Sequence, residues 1–125
     1  MKKSILLLDD KETIGKLVSI YLSSEYEVVY FYDGVQGLQW LEEGNIPDLI
    51  ILDIRMPNMK GDEFLRYVKK HNVYQSIPVV ILSGEESTTE RIRLLEEGAV
   101  DYIVKPFDPT ELKLRIRKAI ADDEV

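Results

Sequence analysis

The sequence predicts an α/β fold, a doubly wound five-stranded parallel sheet with five helices on its two faces. Two observations carry the prediction. Short runs of branched apolar residues, such as Leu49-Ile50-Ile51-Leu52, alternate along the chain with longer segments whose apolar residues recur at helical spacing. The short runs are apolar at consecutive positions rather than alternate ones, the pattern of strands covered on both faces by crossover helices. The length agrees, since 125 residues make one domain of ordinary size. Right-handed βαβ crossovers then fold such an alternation into one open sheet.

Residues 4–8 form the first apolar run and end at Asp9-Asp10. From Thr13 to Leu22, Ile14, Leu17, Val18, Ile20, Tyr21 and Leu22 recur between polar residues, which makes helix one. Residues 26–32 are β-branched and aromatic, a second strand. Residues 35–43 carry Leu38 and Leu41 before a Gly44-Asn45 stop, a short second helix in which Trp40 is read as a packing residue. Residues 49–52 are the third strand and deliver Asp53. Pro57 and Gly61 make residues 55–61 a loop. Helix three follows over residues 62–70, with Phe64, Leu65 and Val68 inward and His71 at its end as a capping cation. Residues 77–82 are strand four, which leads to Ser83-Gly84, and helix four over residues 88–97 closes at Gly98. Residues 101–104 are strand five, ending at Lys105-Pro106, and helix five starts with Pro109 in its first turn. The domain is read as residues 1–121, with residues 122–125 as a frayed acidic tail. For a sheet of this length the standard strand order is 2-1-3-4-5, with strands one and three adjacent at the centre.

Composition narrows the function. The chain has no Cys, which excludes a disulfide scaffold, thiolate zinc sites and thiol catalysis. Its net charge of −7 argues against direct nucleic-acid contact by this domain, while leaving room for a hard cation. No apolar run approaches the ~20 residues of a membrane span. The apolar run after Lys2-Lys3 meets two Asp at once, so it is no signal peptide, and a cytoplasmic location is expected.

Strand ends supply the chemistry. In an open α/β sheet, ligands bind beyond the carboxyl ends of the strands, and Asp9, Asp10, Asp53, Ser83 and Lys105 all leave by that edge. Taken alone, Asp53 suits a strand cap or a turn equally well. Taken together, three carboxylates repel unless a cation joins them. Mg²⁺ takes oxygen ligands and is commonly held by one or two carboxylates together with phosphate oxygens. Lys105 and Ser83 are groups that grip a phosphoryl oxygen as charge builds on it. Asp53 would then be the nucleophile, forming an aspartyl phosphate.

The motifs Leu8-Asp9-Asp10, Leu52-Asp53-Ile54-Arg55-Met56-Pro57 with Gly61, Leu82-Ser83-Gly84 and Tyr102-Ile103-Val104-Lys105-Pro106-Phe107 follow one another in order and spacing. In this the chain resembles a receiver domain of the two-component response-regulator family, over essentially its whole length. The resemblance implies a flavodoxin-like fold and a phosphorylation-dependent switch in a phosphorelay. Asp53 would accept the phosphoryl group from a histidine kinase, a phosphotransfer protein or a small phosphodonor, and the protein would also lose it by itself. Asp10, Asp53 and the Arg55 carbonyl would ligate Mg²⁺, with Asp9 acting mainly through a bound water. Lys105 would pair with Asp53 or its phosphate, the Lys105-Pro106 bond would be cis, and Tyr102 would be the switch aromatic that swings inward when Ser83 moves. Arg55 and Glu85 are expected to bridge over the phosphate.

The resemblance also implies a readout at the face of helix four, strand five and helix five, to control an output domain or partner. On phosphorylation a homodimer would pair Arg91 with Glu111, Asp101 with Arg115, and Glu96 with Arg117. The competing reading of those charges is local, because Glu111 and Arg115, like Arg93 and Glu97, stand four apart on one helix. Three other functions fit less well. The Asp-x-Asp-x-Thr pattern of haloacid-dehalogenase-like phosphatases fails at Lys11, and a flavodoxin-type carrier would need a phosphate loop where this chain has acids. A degenerate receiver would lack part of the set Asp10, Asp53, Ser83 and Lys105.

Overall fold

The computed structural model describes residues 2–123. Strands and helices alternate as β1 (Lys3–Leu8), α1 (Glu12–Leu22), β2 (Tyr26–Phe31), α2 (Gly34–Glu42), β3 (Leu49–Leu52), α3 (Gly61–Lys70), β4 (Val79–Ser83), α4 (Thr88–Glu96), β5 (Asp101–Val104) and α5 (Pro109–Asp123). All the pairings are parallel, and the strand order is β2-β1-β3-β4-β5.

The period of two along each strand divides the core into two layers. Leu6, Leu8, Ile50, Leu52, Val79 and Ile81 face α2, α3 and α4, where they meet Leu41, Phe64, Leu65, Val68 and Leu94. Ile5, Leu7, Leu49, Ile51, Val80 and Leu82 face α1 and α5, where they meet Val18, Leu22, Leu112 and Ile116. Because both faces are covered, Leu49 to Leu52 are fully buried, which explains why the strand has no polar alternation. Each such side chain contributes ~1.5–3 kcal/mol relative to exposure, so the sheet centre is the firmest part of the frame that carries the site. Trp40 packs against the first layer as expected.

Boundaries depart from the sequence reading where local chemistry intervenes. Strand two stops at Phe31, leaving Tyr32 half exposed beyond the ladder. Strand four begins at Val79 rather than Ile77, since Pro78 has no N–H to give the ladder, although its carbonyl still accepts from Ile50 N at 3.0 Å. The last helix continues through Asp122 and Asp123, with no Gly or Pro to stop it, while Glu124 and Val125 lie outside the described residues. His71 sits at the end of α3, but its Nδ1 accepts from Val73 N at 3.1 Å and its ring stacks on Tyr74 at 4.2 Å. These contacts seat the ring in the turn that follows α3.

Register sets the site. Leu8 lies opposite Leu52, Leu52 opposite Ile81, and Ser83 opposite Val104, so the residues just beyond these strands meet at one edge. The start of α5 is fixed behind them by Asp108, whose Oδ1 accepts from Thr110 N at 2.8 Å and Glu111 N at 3.0 Å ahead of a Pro109 that needs no partner.

Candidate functional site

Asp9 and Asp53 follow β1 and β3 directly and are buried, at 1% and 6% exposure, whereas Asp10 is exposed. Asp53 N continues the ladder to Leu8 O at 2.9 Å, which fixes the backbone under its carboxylate. The side chain is fixed as well, because its Oδ1 accepts from Ile54 N at 2.9 Å. One oxygen of each of Asp9, Asp10 and Asp53 lies within 4.8 Å of the others. Gly61 folds the β3–α3 loop back onto this point. Its N–H donates to Ile54 O at 2.8 Å, and a Cβ there would overlap the Asp53 carbonyl oxygen and come within 2.6 Å of Ile54 Cα.

Lys105, on the far side, chooses between two acids. Its Nζ is 2.7 Å from Asp9 Oδ2 and 3.8 Å from Asp53 Oδ2, so it pairs with the expected Asp53 and more closely with Asp9. The more deeply buried carboxylate takes the ammonium, since it has the least water to fall back on. The Asp53 carboxyl is consequently pushed up to about 7, first by burial and then by the Asp9 charge, with Lys105 pulling the other way and Asp10 adding to the rise. When all three acids are ionised, three carboxylates against one ammonium leave two negative charges uncompensated. An oxygen donor set with that residual charge fits a hard divalent cation.

Ser83 is buried at the end of β4, where its Oγ accepts from Glu85 N at 3.1 Å, and a hydroxyl that accepts still has a proton to donate. Tyr102 points inward at 5% exposure, and its O–H donates to Glu85 O at 2.9 Å, tying β5 to the loop that carries Ser83. The Lys105-Pro106 bond is cis, as expected. Arg55, mostly exposed, forms an ion pair with Glu85 that spans the β3–α3 and β4–α4 loops beside Asp53.

The charges on the α4, β5 and α5 surface are engaged differently. Arg115 pairs within the chain, at 3.1 Å with both Asp101 Oδ1 and Glu111 Oε1, and also donates to Tyr102 O at 3.2 Å. Arg117 lies 3.4 Å from Glu25 Oε1. Arg91 and Glu96 are exposed on α4. Arg93 pairs with Glu97 at 3.3 Å, the expected local i,i+4 pair, and α3 joins in through Arg66, which lies 3.4 Å from Glu97 Oε1.

Two contacts around the acids escaped the sequence reading. Asp33 caps α2 by accepting from Val35 N at 2.7 Å, and it also accepts from the Asn58 amide, whose backbone has φ +67° in the β3–α3 loop. The signal was there, as Asp is a strong N-cap residue. Tyr30 donates its O–H to Asp9 O at 2.6 Å, and burial pushes its phenol up to about 12, with Asp9, Glu12 and Asp10 adding to the rise. Its one sequence trace is Gly15, a glycine inside a helix.

A family model described as the response regulator receiver domain matches residues 5–117. The chain belongs to this receiver-domain family. Response regulator ArlR of Staphylococcus saprophyticus is 38% identical over 114 residues, covering 90% of this chain and 50% of that protein. Hybrid signal transduction histidine kinase D of Dictyostelium discoideum is 34% identical over 115 residues, covering 92% of this chain and 7% of the kinase. Among solved structures, the chemotaxis response regulator CheY4 of Vibrio cholerae matches with a TM-score of 0.87 and 31% identity, covering 95% of this chain and 99% of that one. The receiver thus spans about half of the regulator ArlR and a small part of the kinase. Among the described residues, no helix is long and apolar enough to cross a membrane.

Proposed function

We propose that Asp53 is the phosphoacceptor of this receiver domain, taking a phosphoryl group from a phosphohistidine on a histidine kinase or phosphotransfer protein, or from a small phosphodonor. The reading rests on one observation above all, the buried Asp53 carboxylate at a strand end, held beside two further carboxylates with a single ammonium between them. Ile54 N–H fixes one carboxylate oxygen, which leaves the other for in-line attack on phosphorus as the P–N or P–O bond to the donor breaks. Ser83 O–H donates to one phosphoryl oxygen. Lys105, already 3.8 Å from Asp53, meets another as negative charge builds there. Mg²⁺ is the cation this donor set suits; Asp10, Asp53 and the Arg55 carbonyl would hold it, with Asp9 acting through a water, and it would supply positive charge against the phosphoryl oxygens. Intact mass spectrometry after incubation with acetyl phosphate tests the reading. One added phosphoryl group is expected with Mg²⁺ and none with chelator; equal labelling in both would overturn the cation's part.

Spontaneous loss of the phosphoryl group needs a water in line with Asp53, and the Arg55–Glu85 pair, which joins the β3–α3 and β4–α4 loops, is proposed to obstruct that water. Changing Arg55→Ala and Glu85→Ala together is expected to alter the dephosphorylation rate by a different factor from the product of the single changes. Single-turnover decay of the four proteins measures it. Multiplicative effects would mean the two side chains act as independent solvated charges.

The output is proposed to pass through the face of α4, β5 and α5, where Tyr102 links Ser83's loop to the surface and a twofold dimer forms on phosphorylation. Asp101 and Arg115 must then exchange their internal pair for one across the interface, which makes the dimer weak and salt-sensitive. Sedimentation with Mg²⁺ and beryllium fluoride is expected to show a dimer at low salt that dissociates at high salt. A monomer at ~100 μM under activating conditions, far above micromolar dissociation constants, would contradict it.

A further inference from the structure

Tyr30 lies opposite Leu7 in the β1–β2 ladder, on the face covered by α1, yet its phenol reaches past the strand end to the Asp9 carbonyl at 2.6 Å. The ring can take that path only over a glycine. A Cβ at Gly15 would lie 2.5 Å from the ring Cζ, which no packed contact tolerates. Glycine in the middle of a helix weakens it relative to alanine, so the cost at Gly15 is matched to the ring it admits. The carbonyl that Tyr30 holds belongs to the peptide joining Asp9 to Asp10. The other groups of Asp9 are also tied down, its N–H to Phe31 O at 3.3 Å, Oδ1 to Lys11 N at 2.9 Å, and Oδ2 to Lys105. Asp10 is the exposed member of the acidic trio, with no burial of its own to aim it. Its carboxylate meets that of Asp53, and the Asp9–Asp10 peptide fixes the backbone from which it reaches there.

We infer that Tyr30 is a positioning residue for the cation site, fixing the Asp9–Asp10 peptide through its hydroxyl from the space that Gly15 vacates. The inference rests on the assignment of Asp9, Asp10 and Asp53 as the cation's carboxylates. It does not depend on the phosphoryl chemistry. Tyr30→Phe keeps the ring and removes only the donor, whereas Gly15→Ala keeps the donor and displaces the ring.

The test is Mn²⁺ binding, followed by electron paramagnetic resonance of the free ion, on wild type, Tyr30→Phe, Gly15→Ala and Asp53→Asn. Both of the first two variants are expected to bind about three- to tenfold more weakly than wild type, the loss of one hydrogen bond's worth of orientation. With ¹³C-labelled tyrosine, the Tyr30 Cζ resonance, identified by its loss in Tyr30→Phe, is expected to move when Mg²⁺ is added. A merely structural tyrosine would show no such response. Folded Tyr30→Phe that binds Mn²⁺ as tightly as wild type would overturn the inference while leaving the site standing. If wild type binds no Mn²⁺, or Asp53→Asn leaves binding unchanged, the site assignment itself fails and the inference falls with it. Should Tyr30→Phe not fold, the wild-type resonance decides, identified by its displacement in Gly15→Ala, and a resonance unmoved by Mg²⁺ overturns the inference.

Discussion

Asp53→Asn is expected to stabilise the metal-free protein at neutral pH while removing its phosphoacceptor. The folded chain holds the Asp53 carboxyl at about 7 against an ordinary value of 3.8, because burial and the Asp9 charge both disfavour the anion. Folding then carries a proton that the unfolded chain releases between those two values. The folded state is favoured most below about pH 4 and loses stability as pH rises through about 7. At ~1.36 kcal/mol for each tenfold in proton affinity, the displacement sets a ceiling of about 4 kcal/mol, and relaxation around the site brings the expected gain to about 1–3 kcal/mol. Asn is neutral throughout, and its carbonyl can still accept from Ile54 N. Urea titrations in chelator are expected to show the variant more stable than wild type at pH 8 and nearly equal at pH 4. Saturating Mg²⁺ should narrow the gap at pH 8, since bound cation stabilises only the wild-type cluster fully. An equal gain at both pH values would show that charge is not its cause.

Lys105→Met should act in the opposite sense and more strongly. Asp9 is 1% exposed and its Oδ2 depends on the ammonium at 2.7 Å, so removal of Lys105 strands a buried carboxylate beside two others. Breaking one side of a buried pair costs about 3–5 kcal/mol. That loss is expected in chelator, with partial recovery in Mg²⁺. Adding Asp9→Asn to Lys105→Met should restore most of the stability, because the neutral pair leaves no orphan charge. A double variant as unstable as the sum of the single ones would place the cost in lost packing of the lysine stem rather than in charge.

The parts of this protein that were legible in its sequence are those written in consecutive residues. Leu49 to Leu52 announce a strand buried on both faces, and Asp9, Asp53, Ser83 and Lys105 stand at strand ends where any parallel sheet of this order brings them together. What was not legible depends on distance across the fold. Lys105 follows β5 with two acids in reach, and only their relative burial decides for Asp9. Tyr30 and Gly15 stand on neighbouring elements and make sense only as a pair, since neither carries a motif alone. Asp101 and Arg115 are expected to meet across a dimer, and their pairing within one chain joins β5 to α5 at a separation that no helical spacing announces. His71 was read by its charge, whereas its stacking on Tyr74 and its bond from Val73 N follow from a turn after α3 that periodicity does not predict.

The central claim is that Asp53 carries the phosphoryl group. Treatment with acetyl phosphate and Mg²⁺, followed by borohydride reduction and peptide mapping, converts an aspartyl phosphate to homoserine and so marks the acceptor. A single homoserine at position 53, absent from Asp53→Asn and from the chelator control, is the predicted result. Homoserine at position 9 or 10 in wild type, or an adduct undiminished in Asp53→Asn, would contradict it.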